Sequence, residues 1–170
     1  MNKLKQNKMD EKDYFDELGE VALGSRLKRL SDRVMGDASR IYKSTGHDMQ
    51  PKWFTLMALL SDKKSVSVVQ AADYLGLSQP CISQFSREMI KAGLVEVSSD
   101  PNDLRRKILS LSKLGKRKHK QMKSVRSAVR KAAVSICQEE QQNFYQALKQ
   151  FEQALERKSL YQRTLGYYHE

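Results

Sequence analysis

The chain has 170 residues, of which 39% are hydrophobic and 30% charged, enough to bury one core beneath a charged surface. Its formal net charge of +11 points to a polyanionic partner, a nucleic acid or an anionic membrane surface. Two cysteines without metal-like spacing do not suggest a disulfide framework and fit a reducing cytoplasm; there is no run of about 18 apolar residues to cross a membrane, and residues 1–8 lack the apolar stretch of a signal peptide.

In chain order, residues 1–12 are polar and without periodicity, which predicts a loose tail. From Tyr14 onward, apolar residues at Phe15, Leu18, Ala22, Leu23, Leu27, Leu30, Val34 and Ile41 follow helical spacing. They predict one long helix or two in tandem, interrupted near Gly19 or Gly24 and ended by Gly46. Pro51 opens a helix reaching Leu60 that is apolar almost all round and therefore reads as a buried brace, with Trp53 as a core anchor. Asp62, Lys63 and Lys64 make a polar turn into a short strand at Ser65 and Val66.

Residues 67–107 then read helix, tight turn, second helix, strand, basic loop, strand, the order of a winged helix-turn-helix. Val68, Ala71, Ala72 and Leu75 make one helical stripe, and Gly76 can supply the left-handed residue that ends it. Ser78 can cap a second helix whose first turn tolerates Pro80. At about 100° per residue, Gln79, Pro80, Ser83, Gln84 and Arg87 share one face, and Cys81, Ile82, Phe85 and Met89 the opposite one. A major-groove reader needs such a helix: hydroxyls, an amide that pairs with adenine and an Arg that pairs with guanine, anchored from behind. Residues 94–98 and 108–112 read as two strands, and between them a turn-forming start leads to Arg105, Arg106 and Lys107. An Arg at such a tip can enter the minor groove.

Gly115 begins a long helix to about Ile136, with its apolar stripe at Met122, Val125, Val129, Ala132, Ala133 and Ile136. Between Asp103 and Glu139 there is no acidic residue and there are 12 basic ones, more than the whole net excess of 11; beyond about residue 120 they read as a solvated face. Glu139 and Glu140 open a further helix, where acidic residues favour the positive end of the dipole. Phe144, Leu148, Phe151 and Leu155 recur in it at heptad-like spacing, a seam that calls for a partner and favours a homodimer. The tail from Tyr161 to Tyr168 either extends that interface or stays unstructured.

Residues 76–83, then Ala92-Gly93-Leu94-Val95, then Asp100-Pro101-Asn102-Asp103-Leu104-Arg105-Arg106-Lys107 resemble the MarR family (multiple antibiotic resistance regulators) over about residues 20–158. The family's wing pattern is roughly D-P-R-D-x-R, a small residue and Lys; Asn102 stands where an Arg is usual and Arg106 where a small residue is common. The resemblance implies a mainly α fold with a small β-hairpin wing, a winged helix-turn-helix between N- and C-terminal dimerisation helices. Its divisions are a tail at 1–12, an N-terminal dimerisation region at 13–46, the DNA-binding domain at 47–113 and C-terminal dimerisation helices at 114–170. The implied activity is sequence-specific binding of a near-palindromic duplex operator by a cytoplasmic homodimer, a repressor released by a small aromatic or anionic effector. DNA contact falls to Ser78, Gln79, Pro80, Ser83, Gln84, Arg87, Asn102, Asp103, Arg105, Arg106 and Lys107. Effector contact would fall to Tyr42, Trp53 and Arg87, and the dimer interface to Leu18, Leu23, Phe144, Leu148, Phe151 and Leu155.

Other chemistry finds little support. His47, His119 and His169 are scattered, no catalytic or phosphate-loop motif occurs, and neither an enzyme, a cofactor nor a metal site is expected; His47 beside Asp48 reads as a surface turn. The alternatives kept are a thiol-responsive regulator using Cys81, a general architectural nucleic-acid binder and a protein-interaction module built on the Phe144–Leu155 seam.

Overall fold

The computed structural model describes residues 13–100, 103–139 and 143–168, and at 100 and 103–105 it describes the backbone alone. These residues fall into two compact units that divide between Gln121 and Met122. Among them no helix is long and apolar enough to cross a membrane.

The first unit begins with Asp13, whose carboxylate accepts the Phe15 N–H at 3.1 Å and so caps α1 (Tyr14–Leu18). Gly19 ends α1 at φ +58°, a conformation that costs glycine nothing. A single 3-10 turn (Gly19–Ala22) leads into α2 (Leu23–Ser44). Of the two arrangements open from the sequence, the tandem one is found: Gly19 makes the break, and Gly24 lies inside α2. The two helices are joined by charge. Asp13 accepts from Arg29 at 3.0 Å and lies 3.9 Å from Arg26, while Arg26 pairs with Asp16 at 2.6 Å.

The hydrogen bond from Arg29, reinforced by that from the Phe15 N–H, lowers the Asp13 pKa from 3.8 to about 2. A carboxylate with a depressed pKa stabilises the fold fully above its ordinary value, and the contribution disappears as pH falls through the lowered one. The contribution of Asp13 to holding α1 against α2 should therefore be complete above about pH 4 and be lost toward pH 2. A carboxyl-carbon NMR titration is expected to give Asp13 a midpoint near 2, and Arg29→Gln should return it toward 3.8. An ordinary midpoint in the unaltered chain would show that the ion pair does not join the helices.

A 3-10 turn (Pro51–Trp53) precedes α3 (Phe54–Lys63), so the helix expected from Pro51 starts in the tighter form. Leu56, Met57 and Leu60 of α3 are fully buried, as the all-round apolar sequence requires. β1 (Ser65–Ser67), α4 (Val68–Leu75), α5 (Gln79–Lys91), β2 (Val95–Asp100), β3 (Asp103–Leu111) and α6 (Lys113–Gln121) follow. The sheet is antiparallel in the order β1-β3-β2, with Val66 and Val97 opposite Leu109 and Val95 opposite Leu111. Val66, Val95, Leu109 and Leu111 are buried, as are Ile82 and Met89 of α5.

The hairpin differs from expectation. β2 runs to Asp100 and β3 begins at Asp103, so the cations at 105–107 are strand residues rather than loop. Ser99 pairs with Lys107, beyond the apolar runs. Main-chain pairing continues wherever N–H and C=O groups can match, whatever side chains they carry, and hydrophobic pattern does not report it.

The long helix expected from Gly115 to Ile136 is broken. Met122, at φ −79° and ψ 5°, leaves the helical region and separates α6 from α7 (Lys123–Gln138) in the second unit. No Pro or Gly marks this break, so the apolar period runs straight across it. α8 (Phe144–Arg157) is opened by Asn143, whose side-chain oxygen accepts the Gln146 N–H at 3.2 Å. Glu139, expected to open it, instead closes α7, and Glu140 lies outside the described residues. The tyrosine-bearing tail is helical as α9 (Leu160–Tyr168), capped by Ser159, with Arg163 donating to the carbonyls of Lys158 at 2.9 Å and Ala154 at 3.0 Å.

Candidate nucleic-acid interface

α4 and α5 are placed by local chemistry. The Ser67 hydroxyl accepts the Gln70 N–H at 3.2 Å, and the Gln70 side chain accepts the Ser67 N–H at 2.9 Å, a reciprocal capping box. Gly76 closes α4 at φ 62°, ψ 30°, and the Leu77 N–H reaches back to the Ala72 carbonyl at 3.1 Å. Ser78 then caps α5, accepting the Cys81 N–H at 3.3 Å, with Pro80 in the first turn where its missing N–H costs nothing.

α5 is two-faced. Ile82, Ser86 and Met89 are buried and Cys81 and Phe85 half-buried on the side toward the core. The other side carries exposed Gln79, Pro80, Gln84 and Arg87, half-buried Ser83 and, at the cap, exposed Ser78. Buried Ser86 is satisfied by donating to the Ser83 carbonyl at 3.2 Å, and Arg87 Nε donates to the same carbonyl at 3.2 Å. The six residues expected to face the major groove thus lie together on one open surface.

Glu88 was not among the expected site residues. Lys52 Nζ lies 2.7 Å from its Oε2, the Trp53 indole N–H donates to Oε2 at 2.8 Å, and the Gln84 side-chain amide donates to Oε1 at 3.2 Å. Lys52 foremost, then Trp53, hold its carboxyl below the usual range. Only the i, i+4 spacing of Gln84 and Glu88 was legible in advance. Trp53, read as a core anchor, is half-buried and fixes the start of α3 to α5 through its N–H.

In the wing, Arg106 Nη2 donates to the Ser67 hydroxyl at 3.3 Å, tying β3 to the cap of α4. Lys107 is exposed opposite Ser99. Asn102 and the side chains of Asp103 and Arg105 lie outside what is described.

The remaining expected residues are dispersed. Tyr42 lines a cavity of about 440 Å³ with Ser39, Lys43 and residues 46–51. Trp53 lines another of about 450 Å³ with Gln50, Lys52, Glu88, Lys91 and Ala92, and Arg87 borders neither. Leu18 is 39% exposed in the first unit; Phe144 and Phe151 are 47% and 38% exposed in the second, with Leu148 and Leu155 half-buried on the same face of α8. Both cysteines are free thiols, and among the described residues no three His, Cys, Asp or Glu side chains gather to hold a metal ion.

A capped helix-turn-helix set in a three-stranded sheet, with the β2–β3 hairpin after its second helix, defines a winged helix-turn-helix protein. Residues 50–107 match the model of the MarR family, and the chain has the fold of MarR-family transcriptional regulators. The operator-DNA complex of a MarR mutant from E. coli is similar at a TM-score of 0.67 and 14% identity, over 85% of this chain and 99% of that one. The S. aureus MepR–DNA complex is similar at 0.64 and 18%, over 86% and 98%. Bordetella bronchiseptica BpsR, whose DNA binding is regulated by 6-hydroxynicotinic acid, is similar at 0.53 and 20%, over 65% and 82%. No curated protein matches the sequence.

Proposed function

We propose that this protein is a cytoplasmic, homodimeric DNA-binding regulator that reads a near-palindromic duplex operator and represses transcription until a small aromatic or anionic effector releases it. The observation that carries this reading is the open face of α5, where Ser78, Gln79, Pro80, Ser83, Gln84 and Arg87 stand over a buried row of Ile82, Ser86 and Met89. A net charge of +11 supplies the sequence-independent attraction that such a reader needs. The solved relatives include two DNA complexes and one protein regulated by an aromatic acid, which supports both the partner and the release. The apolar residues left open on α8 support dimerisation. In this reading residues 13–46 and 114–170 serve the dimer and 47–113 the DNA.

The test is the specificity ratio. A regulator favours its site over random duplex by at least about 10³ at physiological salt, whereas an architectural binder stays near unity on every promoter fragment tried. Arg87→Ala is expected to cost roughly 1–3 kcal/mol of DNA binding and to relax preference at one base position. Unchanged affinity and base preference would place the reading surface on another face of the molecule.

A further inference from the structure

We infer that Glu88 is a positioning residue that fixes the amide of Gln84 for reading adenine; this rests on the proposed insertion of α5 in the major groove. An ionised carboxylate accepts hydrogen bonds and cannot donate them. Glu88 is held ionised by Lys52, at 2.7 Å from Oε2 and 2.9 Å from Oε1, and is anchored by the Trp53 N–H at 2.8 Å. Oε1 also lies 3.2 Å from the Gln84 amide nitrogen. Because Glu88 only accepts, the reverse orientation of the Gln84 amide would set carbonyl oxygen against carboxylate oxygen. One N–H of Gln84 is therefore committed to Glu88. The carbonyl oxygen and the second N–H remain side by side, an acceptor and a donor that complement N6–H and N7 of adenine. Guanine presents two acceptors at the same edge, so the fixed carbonyl oxygen would stand against O6 and be repelled.

Lys52 and Trp53 lie on the segment leading into α3, so the constraint on a reading residue of α5 originates in a different element. An exposed glutamine without such a buttress samples both amide orientations before it binds.

The experiment selects bound duplexes from a randomised pool with the full chain, with Gln84→Ala and with Glu88→Gln, and sequences each bound fraction. The unaltered chain is expected to enrich adenine at one position per half-site, and Gln84→Ala to lose that preference alone. Glu88→Gln offers an amide that can also donate, so Gln84 can turn over; adenine preference over guanine at that position should fall roughly tenfold while other positions persist. Glu88→Asp keeps the charge beside Lys52 but shortens the arm, and should give the same local loss. On the selected duplex, replacing that adenine by unsubstituted purine, which lacks the N6 amine, should weaken the unaltered chain about tenfold and Gln84→Ala no further.

Any other base at the Gln84-dependent position, no position that depends on Gln84, or a full adenine preference in both Glu88 variants would overturn the inference while leaving the regulator intact. If the unaltered chain enriches no sequence, the proposed function itself fails and this inference falls with it.

Discussion

Gly115→Ala is expected to destabilise the protein by about 3 kcal/mol or more, measured as a lower denaturant midpoint with an unchanged slope. Gly115 is buried in the first turns of α6, and a Cβ there would stand 2.1 Å from the Leu94 carbonyl oxygen and 3.1 Å from its carbon. The obstacle is main chain, so no rotamer change relieves it. Nor can the main chain retreat cheaply. The Leu94 carbonyl accepts the Ser112 N–H at 3.0 Å, and the Ser112 hydroxyl donates to the Gly93 carbonyl at 2.6 Å while accepting the Gly115 N–H at 3.0 Å. Moving α6 outward to admit one methyl would break this set and open the core around Leu94, Val95 and Leu111, all of which are buried. A stability loss of only a few tenths of a kcal/mol would mean that α6 is not seated on the β2 entry.

The second large effect falls on the wing. Arg105→Ala is expected to weaken operator binding by about 1–3 kcal/mol and to lower the preference for A·T-rich sequence beneath the hairpin, because a narrow minor groove attracts Arg most strongly. Arg106→Ala removes the same charge but should act mainly through the salt slope, reducing it by about one unit and leaving flank preference unchanged. The geometry separates the two neighbours: Arg106 already donates to the Ser67 hydroxyl at 3.3 Å, so one end of its guanidinium is held at the α4 cap. Affinity measured over a salt series on A·T-rich and G·C-rich flanks distinguishes them. Equal losses without flank dependence would reduce the wing to a generic cationic hairpin.

Much of the region from Ser65 to Ser112 was legible in the sequence. Ser78 as a cap, Gly76 as a left-handed stop, Pro80 in a first turn and the two faces of α5 each depend on residues within four positions of one another, and such chemistry survives in any context. Less was legible where the chain departs from periodicity without a marker. The break at Met122 carries no Pro or Gly, and the extension of β3 through Arg105 to Lys107 follows main-chain pairing that side-chain polarity does not signal.

By itself, then, the sequence determined the order of elements from β1 to β3, the stop at Gly76, the cap at Ser78 and which face of α5 stays open. Only the tertiary structure decided what lies behind that face. Glu88 joins Lys52 and Trp53 across separations of 36 and 35 residues, and Arg106 joins Ser67 across 39. Gly115 is required because the Leu94 carbonyl occupies the space a side chain would need. These contacts have no local pattern. They exist because α3, α5 and the sheet bury apolar faces against one another, and burying those faces brings together polar groups that the linear chain holds far apart.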